Sequence, residues 1–276
     1  MLRQTVIMEE QKEALIPLLD QLIELLTTNN GVTQAQKSTS FQEKFTIWRG
    51  LINQTPPSKI TTSYLKLESD FLTNYLATED IANITNCQPT NKEHILLYHG
   101  DITRLAVDAI VNAANSEMLG CFIPNHQCID NAIHTFAGAK LRLKCQEIMQ
   151  EQNQKEAIGR AKLTAGYHLP AKYIIHTVGP QIRKNQVVSP IKKDLLKKCY
   201  KACLDVAAKK NVTSIAFCSI STGVFGFPKE EAAQIAVTTV IEWLKTHTTS
   251  LQVIFVSFTK KDQEIYQGLL RGDIND

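Results

Sequence analysis

The feature that most constrains this chain is an alternation beginning near Asn91, in which short apolar runs are separated by longer amphipathic stretches. The runs at 95–99, 109–112, 161–168, 173–178, 214–220 and 253–258 read as strands, and the stretches at 129–150, 190–210, 229–246 and 261–270 read as helices. Strands that alternate with helices build a sheet covered on both faces, so the expected class is α/β. Ile215-Ala-Phe-Cys-Ser-Ile220 is apolar almost throughout, as a strand buried on both sides should be.

The residues before this pattern read differently. Leu15, Leu18, Leu19, Leu22, Ile23, Leu25 and Leu26 recur at helical spacing and stop at Asn29-Asn30-Gly31. Further helices are expected over 41–52 and, after Pro56-Pro57, from Tyr64 to Leu76. We therefore divide the chain into an N-terminal helical extension, 1–90, and a main domain, 91–276.

Composition narrows the function classes. A chain of 276 residues that is 43% hydrophobic can bury a substantial core. The net charge is only +3, and the lysines fall in scattered pairs such as Lys192-Lys193 and Lys260-Lys261. These suit solvated helix faces better than a basic groove interleaved with aromatics, so nucleic acid is not an expected partner. No apolar stretch reaches the roughly 18 residues needed to span a bilayer, so no membrane partner is expected either. Acids at Glu9 and Glu10 interrupt the N-terminus before an export signal can form. The seven cysteines are odd in number and dispersed, which fits a reducing, cytoplasmic setting better than a disulfide scaffold.

Three of those thiol and imidazole donors stand close together in Cys121-Phe-Ile-Pro-Asn-His126-Gln-Cys128, followed by Asp130. A Cys/His/Cys set supplies three zinc ligands and leaves a fourth position for water or substrate, which is the arrangement of catalytic rather than structural zinc. The alternative is a loop with two ordinary thiols and a solvent-facing histidine.

Open α/β sheets bind ligands beyond the carboxyl ends of their strands. Here those positions hold Gly100-Asp101, Asn112-Ala-Ala-Asn115 and Ser221-Thr222-Gly223-Val224-Phe225-Gly226-Phe227. The two glycines of the last segment would let backbone N–H groups approach a phosphate, and Pro228 opens the next helix. No Lys-Ser/Thr pair ends this segment, so it is not a triphosphate P-loop. An ordinary strand-to-helix turn would look similar. Asp101 reads either as a cap on its own turn or as an acceptor for an exocyclic amine. Asn112 and Asn115 read either as loop-stabilising amides or as partners for sugar hydroxyls.

Taken together, Gly100-Asp-Ile-Thr103, Ala109-Ile-Val-Asn-Ala-Ala-Asn115, Tyr173-Ile-Ile-His-Thr-Val-Gly-Pro180 and Ser221-Thr-Gly-Val-Phe-Gly226 resemble the macrodomain family, the ADP-ribose-binding module. The insert from Gly120 to Asn131 further resembles the microbial zinc-containing ADP-ribosylhydrolases of that family. The resemblance implies a three-layer α/β/α fold with a mixed, mostly parallel sheet and an N-terminal helical extension. It implies one zinc ion on Cys121, His126 and Cys128. Asp101 and the Ile102 backbone would receive adenine, Asn112 and Asn115 would hold the catalytic loop and reach the distal ribose, and Ser221, Thr222, Gly223, Val224, Phe225 and Gly226 would wrap the diphosphate through backbone amides. Phe225 or Phe227 would pack on the riboses.

Asp130 corresponds to an aspartate near the distal ribose in many hydrolytic relatives, so Asp130, Asn115 and Asn112 are the implied catalytic set. His134, one turn on, reads as a core histidine that could assist. Those relatives carry a polyglycine run where this chain has 121–128, so a mechanism built on glycines does not transfer. The implied activity is hydrolysis of mono-ADP-ribose from acidic protein side chains, with release of ADP-ribose. The implied substrate is a mono-ADP-ribosylated protein, a lipoyl-type carrier being one candidate. The alternative is a non-catalytic reader of ADP-ribose whose zinc is structural. A zinc nucleoside deaminase would require His-x-Glu and Pro-Cys-x-x-Cys, which the chain lacks.

Overall fold

The structure is a computed structural model that describes residues 9–30 and 39–271. Residues 1–8, read above for an export signal, and Gly31, read as a helix stop, lie outside the described residues. The chain forms two compact units. One gathers Met1–Asp80 with Leu119–Ile148 and Tyr167–Leu169, and the other gathers Ile81–Met118, Met149–Gly166 and Pro170–Asp276.

The first unit is helical. Its helices Ile16–Asn30, Phe41–Gln54 and Thr62–Ala77 match the expected extension, with Ser40 and Thr61 accepting the N–H groups of Glu43 and Tyr64 as N-caps. Their apolar stripes converge on Leu19, Leu22, Leu26, Trp48, Tyr64 and Phe71, all fully buried. Each such side chain contributes about 1.5–3 kcal/mol of burial.

A buried polar relay threads this core. Trp48 Nε1 donates to Tyr64 Oη at 3.1 Å, Tyr64 Oη donates to Glu68 Oε1 at 3.0 Å, and the Ala139 N–H donates to Glu68 Oε2 at 2.7 Å. The last bond explains a departure from the sequence reading. The single helix expected over 129–150 is two, Ile129–Ala137 and Ala139–Gln152, separated by Gly138 at φ +89. A left-handed glycine ends the first helix, and Glu68 caps the second.

The second unit holds a seven-stranded sheet of order β2-β3-β9-β8-β5-β7-β6. The strands are β2 (Gln88–Pro89), β3 (Ile95–His99), β5 (Ala109–Ala114), β6 (Ala161–Ala165), β7 (Tyr173–Val178), β8 (Ser214–Phe217) and β9 (Gln252–Ser257). Short β1 (Ala82–Asn83) and β4 (Leu105–Ala106) pair separately. The five inner strands are mutually parallel, and only β2 and β6 run antiparallel.

Both β6 and β8 end earlier than their apolar runs, because 166–168 and 218–220 are loop. The helices Pro190–Lys209, Lys229–Thr246 and Lys260–Arg271 belong to this unit. Tyr200 packs on Phe217 and Tyr266 on Phe255, with ring centroids 5.1 and 5.0 Å apart. At the amino ends of the strands Asp108 accepts from Thr213 N at 2.8 Å and pairs with Lys172 at 2.6 Å. Burial disfavours its charge, but the hydrogen bonds from Lys172 and Thr213 prevail and hold it at about 2. The carboxyl ends of the parallel strands all open on the opposite edge, where the loops of interest emerge.

Burial raises the Glu68 carboxyl from 4.5 to about 7, against the opposing bonds from Ala139 and Tyr64. The native state therefore keeps a proton between about 4.5 and 7 that the unfolded chain releases, and stability falls as pH rises through that window. Glu68→Gln should flatten this dependence, removing a pH-linked difference of about 3 kcal/mol. Denaturant titrations at the two ends of the window check it, and an unchanged slope would contradict it.

Candidate active site

At the edge formed by β3 and β9, the parallel register sets His99 beside Ser257, and Gly100 N–H donates to Ser257 O at 3.0 Å. Asp101 follows, its Oδ1 accepting the Thr103 N–H at 2.9 Å and the Thr103 hydroxyl at 2.7 Å. That oxygen caps its own turn, while Oδ2 lies 4.0 Å from Arg104 Nε. Ile102 is buried and anchors the turn. Phe258 emerges from the end of β9 at 74% exposure, on the strand neighbouring the one that leads to Asp101. Sequence reasoning took Phe258 as the last strand residue. An aromatic directly after an apolar run was the signal available.

The loop after β8 has an unusual backbone. Ser221 sits at φ +68, a region most non-glycine residues avoid. Phe227 N–H donates to Ser221 O at 3.0 Å and Gly226 N–H to Gly223 O at 2.9 Å, closing a tight loop. The Phe225 carbonyl accepts from Ile182 N–H at 2.7 Å. Among the described residues, the N–H groups of Gly223, Val224 and Phe225 donate to no protein carbonyl, and Val224 is 69% exposed. Consecutive N–H groups in such a loop form an anion-binding concavity.

Thr222 is tied back by its hydroxyl to Ser219 O at 3.0 Å. Phe227 is 1% exposed and belongs to the core beneath the loop, so of the two candidate phenylalanines only Phe225 is partly exposed. Pro228 is the N-cap of the helix Lys229–Thr246, one position before the first-turn place expected. Gly179, at the end of β7, underlies this loop: a Cβ there would stand 2.1 Å from Ser221 Oγ and 2.8 Å from Ile220 Cγ2.

Between these strands lies β5. Asn112 is fully buried, and its Nδ2 donates to His176 Nδ1 at 3.1 Å. The other ring nitrogen of His176, Nε2, donates to Thr164 Oγ1 at 2.9 Å. Burial lowers the imidazole to about 3, so the ring is neutral and both assignments hold. Asn112 thus ties three strands beneath the loop that follows it. Asn115, partly exposed in that loop, accepts the Glu117 N–H on its Oδ1 at 2.9 Å. The Ser116 carbonyl receives the Glu156 N–H at 2.8 Å. Sequence reasoning missed His176 and Thr164, because a polar pair inside apolar strands has no periodic signature.

In the other unit, the Cys121 Sγ, His126 ring nitrogen and Cys128 Sγ come within 4.8 Å of one another. Cys121 Sγ and His126 Nδ1 are 3.7 Å apart. A tetrahedral zinc with ordinary Zn–S and Zn–N bonds spaces sulfur and nitrogen at roughly 3.6 Å, so the donor set fits that ion. Burial chiefly, with Cys121 and Asp130 adding to it, pushes the Cys128 thiol up to about 12. A cation would offset that accumulation of negative charge.

Cys128 is also the N-cap of the helix Ile129–Ala137, its sulfur accepting the Asn131 N–H at 3.4 Å. This fixes Asp130 in the first turn, 5% exposed, with Oδ1 3.7 Å from His134 Nε2. His134 is buried as well, in keeping with a core histidine.

The parallel sheet with its loop-lined edge, together with the matching motifs, places this chain in the macrodomain family. The Macro domain family matches residues 111–236. A Staphylococcus aureus (strain MRSA252) protein named Protein-ADP-ribose hydrolase is 47% identical over 235 residues, covering 85% of this chain and 88% of that one. A Treponema medium protein of the same name is 41% identical over 263 residues, covering 94% of this chain and 99% of that one.

The fold is the α/β macrodomain architecture expected, with a mixed sheet and an N-terminal helical extension. The Oceanobacillus iheyensis macrodomain with ADP matches at TM-score 0.58 and 36% identity, covering 66% of this chain and 92% of that one. The Trypanosoma brucei macrodomain in complex with ADP-ribose matches at TM-score 0.58 and 31% identity, covering 88% of this chain and 94% of that one.

Gly179→Ala should force Ser221 and Ile220 to move and so spoil the loop that presents the N–H groups. We expect ADP-ribose binding weakened at least about tenfold, about 1.4 kcal/mol, by calorimetry. Unaltered affinity would show that the loop does not depend on this close approach.

Proposed function

We propose that this chain is a protein-ADP-ribose hydrolase that removes mono-ADP-ribose from acidic side chains and requires zinc. The observation that carries the reading is the trio of donor atoms within 4.8 Å on Cys121, His126 and Cys128. The trio starts six residues after Asn115 and ends two before Asp130. The relatives named Protein-ADP-ribose hydrolase support the reaction class.

The order of loops along the sheet edge supports a direction for the ligand. Asp101 and Phe258 follow the neighbouring strands β3 and β9, the 221–227 loop follows β8, and Asn115 follows β5. Adenine would stack on Phe258 and donate its amine to Asp101, with the Ile102 backbone alongside. The diphosphate would receive the N–H groups of Gly223, Val224 and Phe225, in the loop shaped by Ser221, Thr222 and Gly226, with the Phe225 ring against a ribose. Phe227 would support that loop from below. The distal ribose would meet Asn115, on a loop that Asn112 holds through His176.

A zinc ion held by Cys121, His126 and Cys128, one per chain, would supply Lewis acidity and an open position for a substrate or water oxygen. Asp130 would accept, on a carboxylate oxygen, the proton of the water whose oxygen joins the anomeric carbon. The protein carboxylate leaves with the electron pair of the broken C–O bond. His134 would keep the Asp130 carboxylate oriented. The seven cysteines, none of them in a disulfide, support a reducing setting such as the cytoplasm. Among the described residues no helix is long and apolar enough to cross a membrane. A lipoyl-type carrier is the substrate protein we favour testing first.

The test is release of labelled ADP-ribose from a protein mono-ADP-ribosylated on aspartate or glutamate. Chelation should abolish release and added zinc restore it. Release by fully metal-free protein would refute the zinc requirement, and binding without any release would make the chain a reader. Asp130→Ala should slow turnover about a hundredfold or more while ADP-ribose affinity stays within a few-fold. Equal losses in both would assign Asp130 to binding instead.

A further inference from the structure

The Cys121–Cys128 loop is not held by its own secondary structure. It is held by hydrogen bonds from the helix Phe41–Gln54, from Asn131 behind the loop and, at its entry, from Arg142, all within the helical unit. Arg142, 4% exposed, grips the entry. Its Nε donates to Leu119 O at 2.9 Å, while Nη1 donates to Ile52 O and Thr55 O, both at 2.7 Å, at the carboxyl end of that helix.

At the tip, Asn125 sits at φ +54 and its N–H donates to Asn53 Oδ1 at 3.0 Å. Asn53 is 1% exposed, and its Nδ2 is fixed on Thr135 Oγ1 at 3.1 Å. Behind the loop, fully buried Asn131 sends Nδ2 to Ile123 O at 3.0 Å and to Cys121 O at 3.4 Å. Arg49 then orients Asn131, donating Nε and Nη2 to its Oδ1 at 3.2 and 2.9 Å. The same guanidinium lies 3.5 Å from His126 O.

These bonds reach the backbone of two ligand residues, Cys121 and His126, and of the turn between them. Two of the donors and acceptors, Arg49 and Asn53, come from a helix of the N-terminal extension, outside the unit that holds the sheet. We infer that Arg49 and Asn53 are positioning residues for metal: the N-terminal extension presets the Cys/His/Cys geometry. The inference rests on the metal reading above and assigns the extension a role in it. Groups that orient metal ligands from behind typically account for 10- to 100-fold in affinity. A loop freed of them would have to order itself on binding.

The test measures metal affinity in the full chain by competition with a chromophoric chelator, alongside the visible and thiolate-to-metal charge-transfer absorption of the cobalt(II)-loaded protein. Asn53→Ala and Arg49→Met should each weaken zinc about tenfold or more and alter the cobalt spectrum. Arg49→Lys, which keeps one donor for Asn131, should recover part of both. Arg49 is only half-buried, so its two variants keep the test open should Asn53→Ala fail to fold. Folded Arg49 variants with wild-type zinc affinity and cobalt spectrum would overturn the inference while leaving the metal reading intact. A wild-type chain that takes up no metal would overturn the metal reading itself.

Discussion

The parallel register of β3, β9, β8, β5 and β7 is the constraint on which the loops of the sheet edge depend. Because the five strands point the same way, every loop that leaves a carboxyl end arrives on one edge. Neighbouring strands then set neighbouring loops in a fixed sequence: Asp101 and Phe258, the Ser221 loop, and Asn115. Side-chain hydrogen bonds below these loops secure the register. Asp108 clamps the opposite ends, and the neutral His176 bridges Asn112 and Thr164 inside the sheet. Rigid strands thereby support a loop whose backbone is strained at Ser221 and whose Gly223, Val224 and Phe225 N–H groups donate to no protein carbonyl among the described residues.

The 121–128 loop depends on a different device. Eight residues supply three donors, and the last of them, Cys128, doubles as a helix cap. That double role couples the ligand set to Asp130, since the cap fixes where the first turn begins. Asn131 couples it again through the carbonyls of Cys121 and Ile123. The extension is thus part of the same compact unit as the loop, and Glu68 extends that continuity by capping the helix Ala139–Gln152.

The architecture was largely legible in the sequence because apolar periodicity reports burial directly. The strands 95–99 and 173–178 and the helix 229–246 fall where the pattern puts them. The break at Gly138 was not legible: Phe136, Ala137 and Leu141 continue the apolar helical pattern, and the cap that permits the break comes from Glu68, distant in sequence. The same reason hid the support of the site. Cys121, His126 and Cys128 lie within eight consecutive residues, whereas Arg49, Asn53 and Asn131 act through bonds that span up to 82 positions. Phe227 illustrates the converse, since a residue inside a recognisable motif can serve the core.

The zinc proposed for the 121–128 loop is what the proposed hydrolysis at the distal ribose rests on. Zinc-edge anomalous diffraction from crystals grown with ADP-ribose tests it most directly. The account predicts an anomalous peak bounded by Cys121 Sγ, His126 Nδ1 and Cys128 Sγ, its open side toward the distal sugar. A peak turned away from that sugar, or no peak among these three side chains, would contradict it.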